Sequence, residues 1–394
     1  HCHLGPIGEG ASRPTANARL DEWRAAVTEL ERFDAMMAGQ PADRLPNWEL
    51  GVWGQTVDRW RAEGAPADLT WNWFWGEDTL GYDRKEFVGL NCGPMPPFEA
   101  GLLADEGETE LLLDHLGRTR RALKTGMVHG TRASMDQYLR FAVACPDDWQ
   151  AVKRRYDPSD AARLPADWRD RLPAWRARQR PLVFGPNCST LGFYWFARDQ
   201  MGTEGLSLAW YDEPTMMHDM MDHWADWLCE VARPVLAETS VEYVCLNEDM
   251  AMKTGPLLSP ATYRTFIQPR LRRVVEFYKA HGVRYVVVDT DGNPEPLIPL
   301  LMDAGVDVVW PLERAADQDP ARLRAKFGPS LGLWGGVDKR ELAKGRAAID
   351  AHLASLRPVV EQGRYVPHVD HTVPPDVSWD DFRYYLEAKE RLLA

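Results

Sequence analysis

Five apolar runs in the second half of the chain share one design, in which β-branched, aromatic or leucine side chains stop abruptly at polar residues. Tyr285-Val286-Val287-Val288 stops at Asp289-Thr290-Asp291-Gly292-Asn293, and Val241 to Leu246 stops at Asn247-Glu248-Asp249. Val306 to Trp310 reaches Pro311-Leu312-Glu313, Leu331 to Trp334 reaches Gly335-Gly336-Val337-Asp338, and Arg364 to Pro367 reaches His368-Val369-Asp370-His371. Unbroken apolar runs of this length belong to strands buried on both faces of a parallel sheet. Ionisable residues at each carboxyl end are what a site shared between successive strands requires. A further strand is predicted at 181–184.

Helical spacing fills the intervals. It covers 213–238 (Met216, Met220, Trp224, Trp227, Leu228, Val231), where Asp212-Glu213-Pro214 supplies first-turn chemistry, and then 259–281, 294–304, 319–326, 339–361 and 378–393. Strands recurring roughly 20–45 residues apart with helices between them predict an α/β fold, a (β/α)8 TIM barrel. Upstream, the periodicity predicts a helix over 17–38, a first strand over Trp48–Trp53 and a helix over Thr56–Glu63. Thr109–Asp114 and Arg118–Lys124 suggest an antiparallel ribbon, followed by surface helices at 147–156 and 166–179. The expected organisation is an N-terminal arm and helix (1–30) and one barrel (31–394), with 54–180 as a lid or insertion, so that the N-terminal region is elaborated.

Charge narrows the partners. Lys and Arg total 46 against 59 Asp and Glu, a net charge of −13, which argues against nucleic acid and anionic membrane. No run approaches the roughly 18 apolar residues of a membrane span, and no basic stretch followed by an apolar core opens the chain. The six cysteines lack any C-x-x-C spacing, the pattern of free thiols in a cytoplasmic protein. His1-Cys2-His3 has soft-metal donors but reads as part of a mobile arm.

Several segments, taken in order, resemble the uroporphyrinogen decarboxylase superfamily, which includes methyltransferases that serve corrinoid proteins and thiols. They are Phe33 to Pro46 with its Asp43-Arg44-Leu45-Pro46, then Asn247-Glu248-Asp249-Met250, Gly335-Gly336-Val337-Asp338-Lys339, and Asp370-His371-Thr372-Val373-Pro374-Pro375-Asp376. The resemblance implies a (β/α)8 barrel and a homodimer. The arginine-rich segment with which porphyrinogen decarboxylases grip their substrate is replaced by Glu49-Leu50-Gly51-Val52-Trp53-Gly54-Gln55, so a true uroporphyrinogen decarboxylase is not expected. The zinc-binding cysteines of the methyltransferase branch are also absent, with Asp289-Thr290-Asp291-Gly292 and Asp370-His371 in their places.

The candidate catalytic residues are therefore Glu248, Asp289 and His371, with His368 as the other histidine of that loop. The candidate metal ligands are Asp289, Asp291 and His371. Oxygen and imidazole donors suit a divalent metal, zinc first, though the same groups also fit metal-free acid–base chemistry. Trp53, Trp73, Trp75, Asn187, Tyr194 and Trp334 are candidate pocket walls. The aromatic cluster Trp71, Trp73, Phe74 and Trp75 suits an aromatic methyl ether or a quaternary amine. No corrinoid-binding D-x-H-x-x-G segment is present, so a corrinoid would arrive on a partner protein. The expected activity is methyl transfer from a small O- or N-methyl substrate to a corrinoid protein or thiol, that is, a demethylase. The alternative is a decarboxylase or lyase acting on a small organic acid.

Overall fold

The computed structural model describes residues 27–73, 79–185 and 191–394. Its centre is a seven-stranded sheet: β1 (Glu86–Phe87), β2 (Leu182–Phe184), β3 (Val241–Asn247), β4 (Val283–Asp289), β5 (Val308–Leu312), β6 (Gly332–Gly335) and β7 (Tyr365–Val366). Spatial order follows chain order, and every neighbouring pair is parallel. Such a sheet needs a crossover between each pair of strands, and helices supply most of them, including Pro214–Leu236 before β3 and Gln268–Ala280 before β4.

The predicted runs at 241–247 and 284–289 thus appear as strands almost residue for residue. The predicted helix 259–281 is broken into Pro260–Phe266 and Gln268–Ala280, and 339–361 into Lys339–Leu342 and Arg346–Glu361. The ribbon is a four-stranded antiparallel sheet built from 101–105, 109–113, 119–123 and 137–140.

The expected first strand over Trp48–Trp53 is not a strand of this sheet. It meets its neighbour only through an isolated parallel bridge, Val52 with Val373, while the Val52 N–H donates to the Trp71 carbonyl at 3.1 Å. The architecture is therefore a curled parallel sheet with flanking helices.

Alternation along the strands sorts the core into two parts. One face contributes Val183, Tyr243, Cys245, Val287, Val308, Trp310, Trp334 and Val366 to an interior cluster that also holds Trp48. The helix Glu29–Ala38 brings Phe33, Met36 and Met37 to the same cluster. A capping box between Thr28 and Glu31 fixes where this helix begins. It sits by the strand starts, since the Arg364 N–H donates to the Met36 carbonyl and Arg284 pairs with Asp34. The other sheet face packs on the surrounding helices in the larger core cluster. With the amino ends of the strands plugged by side chains, open space remains at their carboxyl ends. Among the described residues no helix is long and apolar enough to cross a membrane.

Candidate active site

Register decides which residues meet at the carboxyl ends. Asp289 closes β4 opposite Asn247 of β3 on one side and Trp310 of β5 on the other. All three line a cavity of about 280 Å³, together with Trp53, Trp71, Trp195, Asp249, Asp291 and His371. This is just below the usual ligand-pocket range, roughly 300–1,000 Å³, and suits a small ligand. The described lining residues include three aspartates and no lysine or arginine.

Each aspartate is treated differently. Asp249 adopts φ 39° and is held by Arg198, whose Nη2 lies 2.8 Å from Oδ2 and whose Nη1 donates to the Asp249 carbonyl at 2.9 Å. Asp291 lies 3.3 Å from Nε2 of His371. Burial pushes the Asp291 carboxyl up, but the hydrogen bond and charge of His371, with Lys339 and Arg198 beyond, outweigh it and hold the group below its usual range. For His371 burial works downward, and Asp291 more than compensates, so the imidazole titrates above its usual value. Asp289 is 8 % exposed, and its carboxyl makes no hydrogen bond among the described residues. Burial first, and then the charges of Asp291 and Asp249, push it well above the carboxylate range.

Glu313 joins this group from the end of β5. Its Oε2 accepts from the Gly292 N–H at 2.8 Å, and Asp291, Glu313 and His371 each offer a donor atom within 4.8 Å of the others. Two carboxylates and an imidazole are a fitting donor set for zinc, manganese or iron. Asp289, expected among the ligands, stands outside that set. The turn that delivers Asp291 depends on Gly292, which has φ 78°, and a Cβ there would come within 2.7 Å of the Ala251 and Met252 carbonyls.

His371 is pinned through its neighbours. Asp370, fully buried, accepts from the backbone N–H groups of Arg314 (2.9 Å) and Lys339 (3.2 Å). Val369 donates to Glu49 Oε2 at 2.9 Å and bridges Val337.

Glu248 does not line the cavity. It lies fully buried beneath the helix Phe193–Asp212, where Oε2 accepts from the Tyr194 N–H at 2.6 Å and Oε1 has no partner among the described residues. Burial outweighs the N–H groups of that helix start and raises its pKa to about 7. Gly192 permits the approach, since a Cβ there would stand 2.0 Å from the Asn247 carbonyl oxygen.

His368 is also fully buried, and its Nδ1 lies 2.7 Å from the Val369 carbonyl. Burial drives its pKa to about 3, so this imidazole is neutral.

The remaining expected wall residues divide. Trp53 lines the cavity, with its ring 6.3 Å from that of His371. Trp73 packs instead against Trp60, Tyr82 and Phe382, and Trp334 against Trp48 and Tyr243 in the interior cluster. Tyr194 is buried, and its hydroxyl has no partner among the described residues. Trp75 and Asn187, with Phe74 of the aromatic cluster, lie outside the described residues. Trp71 of the expected aromatic cluster does line the cavity, whereas Glu313, Asn247, Asp249, Trp195 and Trp310 were not singled out as site residues from the chain, although four of these five stand at the strand ends that its pattern marks.

Comparison with known proteins agrees with this architecture. The model of the family described as "Uroporphyrinogen decarboxylase (URO-D)" matches residues 191–392. Uroporphyrinogen decarboxylases of Gloeobacter violaceus and Myxococcus xanthus are each 24% identical, over 187 and 181 residues. Both matches cover 46% of this chain and, respectively, 50% and 49% of the relative, so the chain spans about half the length of the curated relatives it matches. A methyltransferase from Methanosarcina mazei shares the fold, with a TM-score of 0.55 at 16% identity over 93% of this chain and 100% of that one. The chain belongs to the uroporphyrinogen decarboxylase family, as a member that is not itself a porphyrinogen decarboxylase: its small acidic cavity has no arginine among the described lining residues to meet a polyanionic tetrapyrrole.

Proposed function

We propose that the chain is a methyltransferase-like enzyme that moves a methyl group from a small O- or N-methyl substrate, held in the strand-end cavity, to a reduced corrinoid on a partner protein or to a thiol. The observation that carries this reading is the pairing of one donor cluster, Asp291, Glu313 and His371, with a cavity of about 280 Å³ walled by tryptophans. The cavity walls orient the methyl-bearing heteroatom so that the acceptor attacks the methyl carbon in line. As the bond to carbon breaks, its electron pair stays on the heteroatom, and His371, raised above its usual pKa, is the side chain able to protonate an oxygen leaving group. A divalent metal, zinc first, would be held by Asp291, Glu313 and the neutral imidazole of His371, and would then supply Lewis-acid assistance to the leaving heteroatom in place of the His371 proton.

The same reading places the enzyme in the cytoplasm as a homodimer.

The test supplies zinc, manganese or iron together with cob(I)alamin or a thiol and a panel of methyl ethers and methylamines. Methylcobalamin absorbance and thioether mass report transfer, and released carbon dioxide is recorded in parallel. Transfer by wild type that is lost in Glu313→Ala and His371→Ala is expected. Carbon dioxide release from a small acid without methyl transfer would replace this reading with the decarboxylase one.

A further inference from the structure

The three carboxylates of the cavity are not equivalent, and the difference names a ligand. Asp249 is neutralised by Arg198 at 2.8 Å and Asp291 by His371 at 3.3 Å. Asp289, between them on β4, lines the same cavity, is 8 % exposed, and has no hydrogen-bond partner for its carboxyl among the described residues. A buried carboxyl with no partner is costly to ionise, and a cation bound in the cavity would supply the counter-charge that the surrounding side chains do not.

The walls say which kind of cation. Trp53, Trp71, Trp195 and Trp310 surround the space, and indole faces attract cations that carry no strongly held water. Two of these rings already do so within the protein: the Arg198 guanidinium sits 4.5 Å from the Trp195 ring centre and that of Arg61 lies 5.8 Å from Trp71. A methylated ammonium needs an aromatic surround and a counter-charge. That is the combination present here.

We propose that the cavity binds a small methylated ammonium compound, with Asp289 as its counter-ion and the tryptophans as its cage. This rests on the reading of the cavity as the substrate site and narrows it to N-methyl compounds. The carboxylates then divide their work, with Asp291 and Glu313 in the donor cluster beside His371 and Asp289 facing the cation. A quaternary ammonium also simplifies the transfer step. When the C–N bond breaks, the electron pair returns to nitrogen, the amine leaves neutral, and no proton is required.

Isothermal titration calorimetry of the full chain with choline and with its uncharged isostere 3,3-dimethyl-1-butanol separates charge from shape. Wild type is expected to bind choline at least tenfold more tightly than the alcohol. Asp289→Asn, which keeps size and shape, is expected to erase that preference while thermal unfolding shows the variant folded. Trp53→Leu is expected to weaken choline severalfold as an independent check on the cage. Equal binding of the two probes, binding of neither, or a choline preference that survives in Asp289→Asn would each overturn the inference. The methyl-transfer assay with methyl ethers keeps the two ideas apart, because transfer from an ether without choline binding would refute the cation and leave the methyltransferase reading standing.

Discussion

Replacing Glu248 with glutamine should make the protein's stability less dependent on pH, and the size of the effect follows from where the carboxyl sits. Glu248 is fully buried, with one oxygen bonded to the Tyr194 N–H and the other without a partner among the described residues. Burial raises its pKa from 4.5 to about 7. In the unfolded chain the proton leaves near 4.5, while the folded protein keeps it until about 7. The acid form's stabilisation is therefore complete below 4.5 and is lost as pH rises to 7, a total of about 3 kcal/mol.

Between pH 5.5 and 8 the loss is about 2 kcal/mol. The amide introduced by Glu248→Gln does not titrate. Whatever constant offset it brings, the variant should therefore gain about 2 kcal/mol on wild type across that interval. Urea unfolding followed by tryptophan fluorescence at the two pH values measures it directly. A wild-type-to-variant difference that stays constant from pH 5.5 to 8 would refute the reasoning, because it would mean that Glu248 titrates at the same pH folded and unfolded.

Other consequences test the framework around the site. Lys389 and Glu49 form a fully buried pair at 2.6 Å, with Lys389 also donating to the Trp48 carbonyl and Val369 to Glu49. Lys389→Met should cost about 3–5 kcal/mol in urea unfolding, and the double variant with Glu49→Gln should recover part of it; a near-neutral single variant would contradict this. Gly192→Ala places a Cβ 2.0 Å from the Asn247 oxygen and should cost about 2 kcal/mol or more through overpacking, seen as a lower urea midpoint. Glu295, held down to about 2 by Arg322 and Lys326, should stabilise the fold from neutral pH until acid approaches that value. Glu295→Gln should therefore flatten the upper part of the acid-unfolding curve between about pH 4.5 and 2.

The parallel core was legible because its strands are buried on both faces, so that Val286-Val287-Val288 and Val241 to Leu246 carry unbroken apolar runs. The segment Trp48–Trp53 carries a similar pattern without becoming a strand of the sheet. Its Glu49 is taken up by Val369, Tyr385 and Lys389, and its Val52 N–H turns to Trp71. Contacts from more than 300 residues away decided that geometry.

The site was legible at the level of strand ends, which gave Asp289, Asp291 and His371. Side-chain direction was not. Asp249 takes a positive φ, which turns it toward the cavity while Glu248 goes under a helix start. Glu313 enters the donor cluster only because the Gly292 N–H and the sheet register hold it beside Asp291. Trp73 and Trp334, similar to Trp53 as letters, are drawn into aromatic packing elsewhere.

If Asp291, Glu313 and His371 make one working centre, metal content will show it. The purified chain, incubated with zinc, manganese and iron in turn and desalted, is assayed by inductively coupled plasma mass spectrometry beside Glu313→Ala and His371→Ala. About one ion per chain above any held by His1-Cys2-His3 is expected in wild type, and loss of that ion in both variants. Equal metal content in wild type and both variants would contradict it.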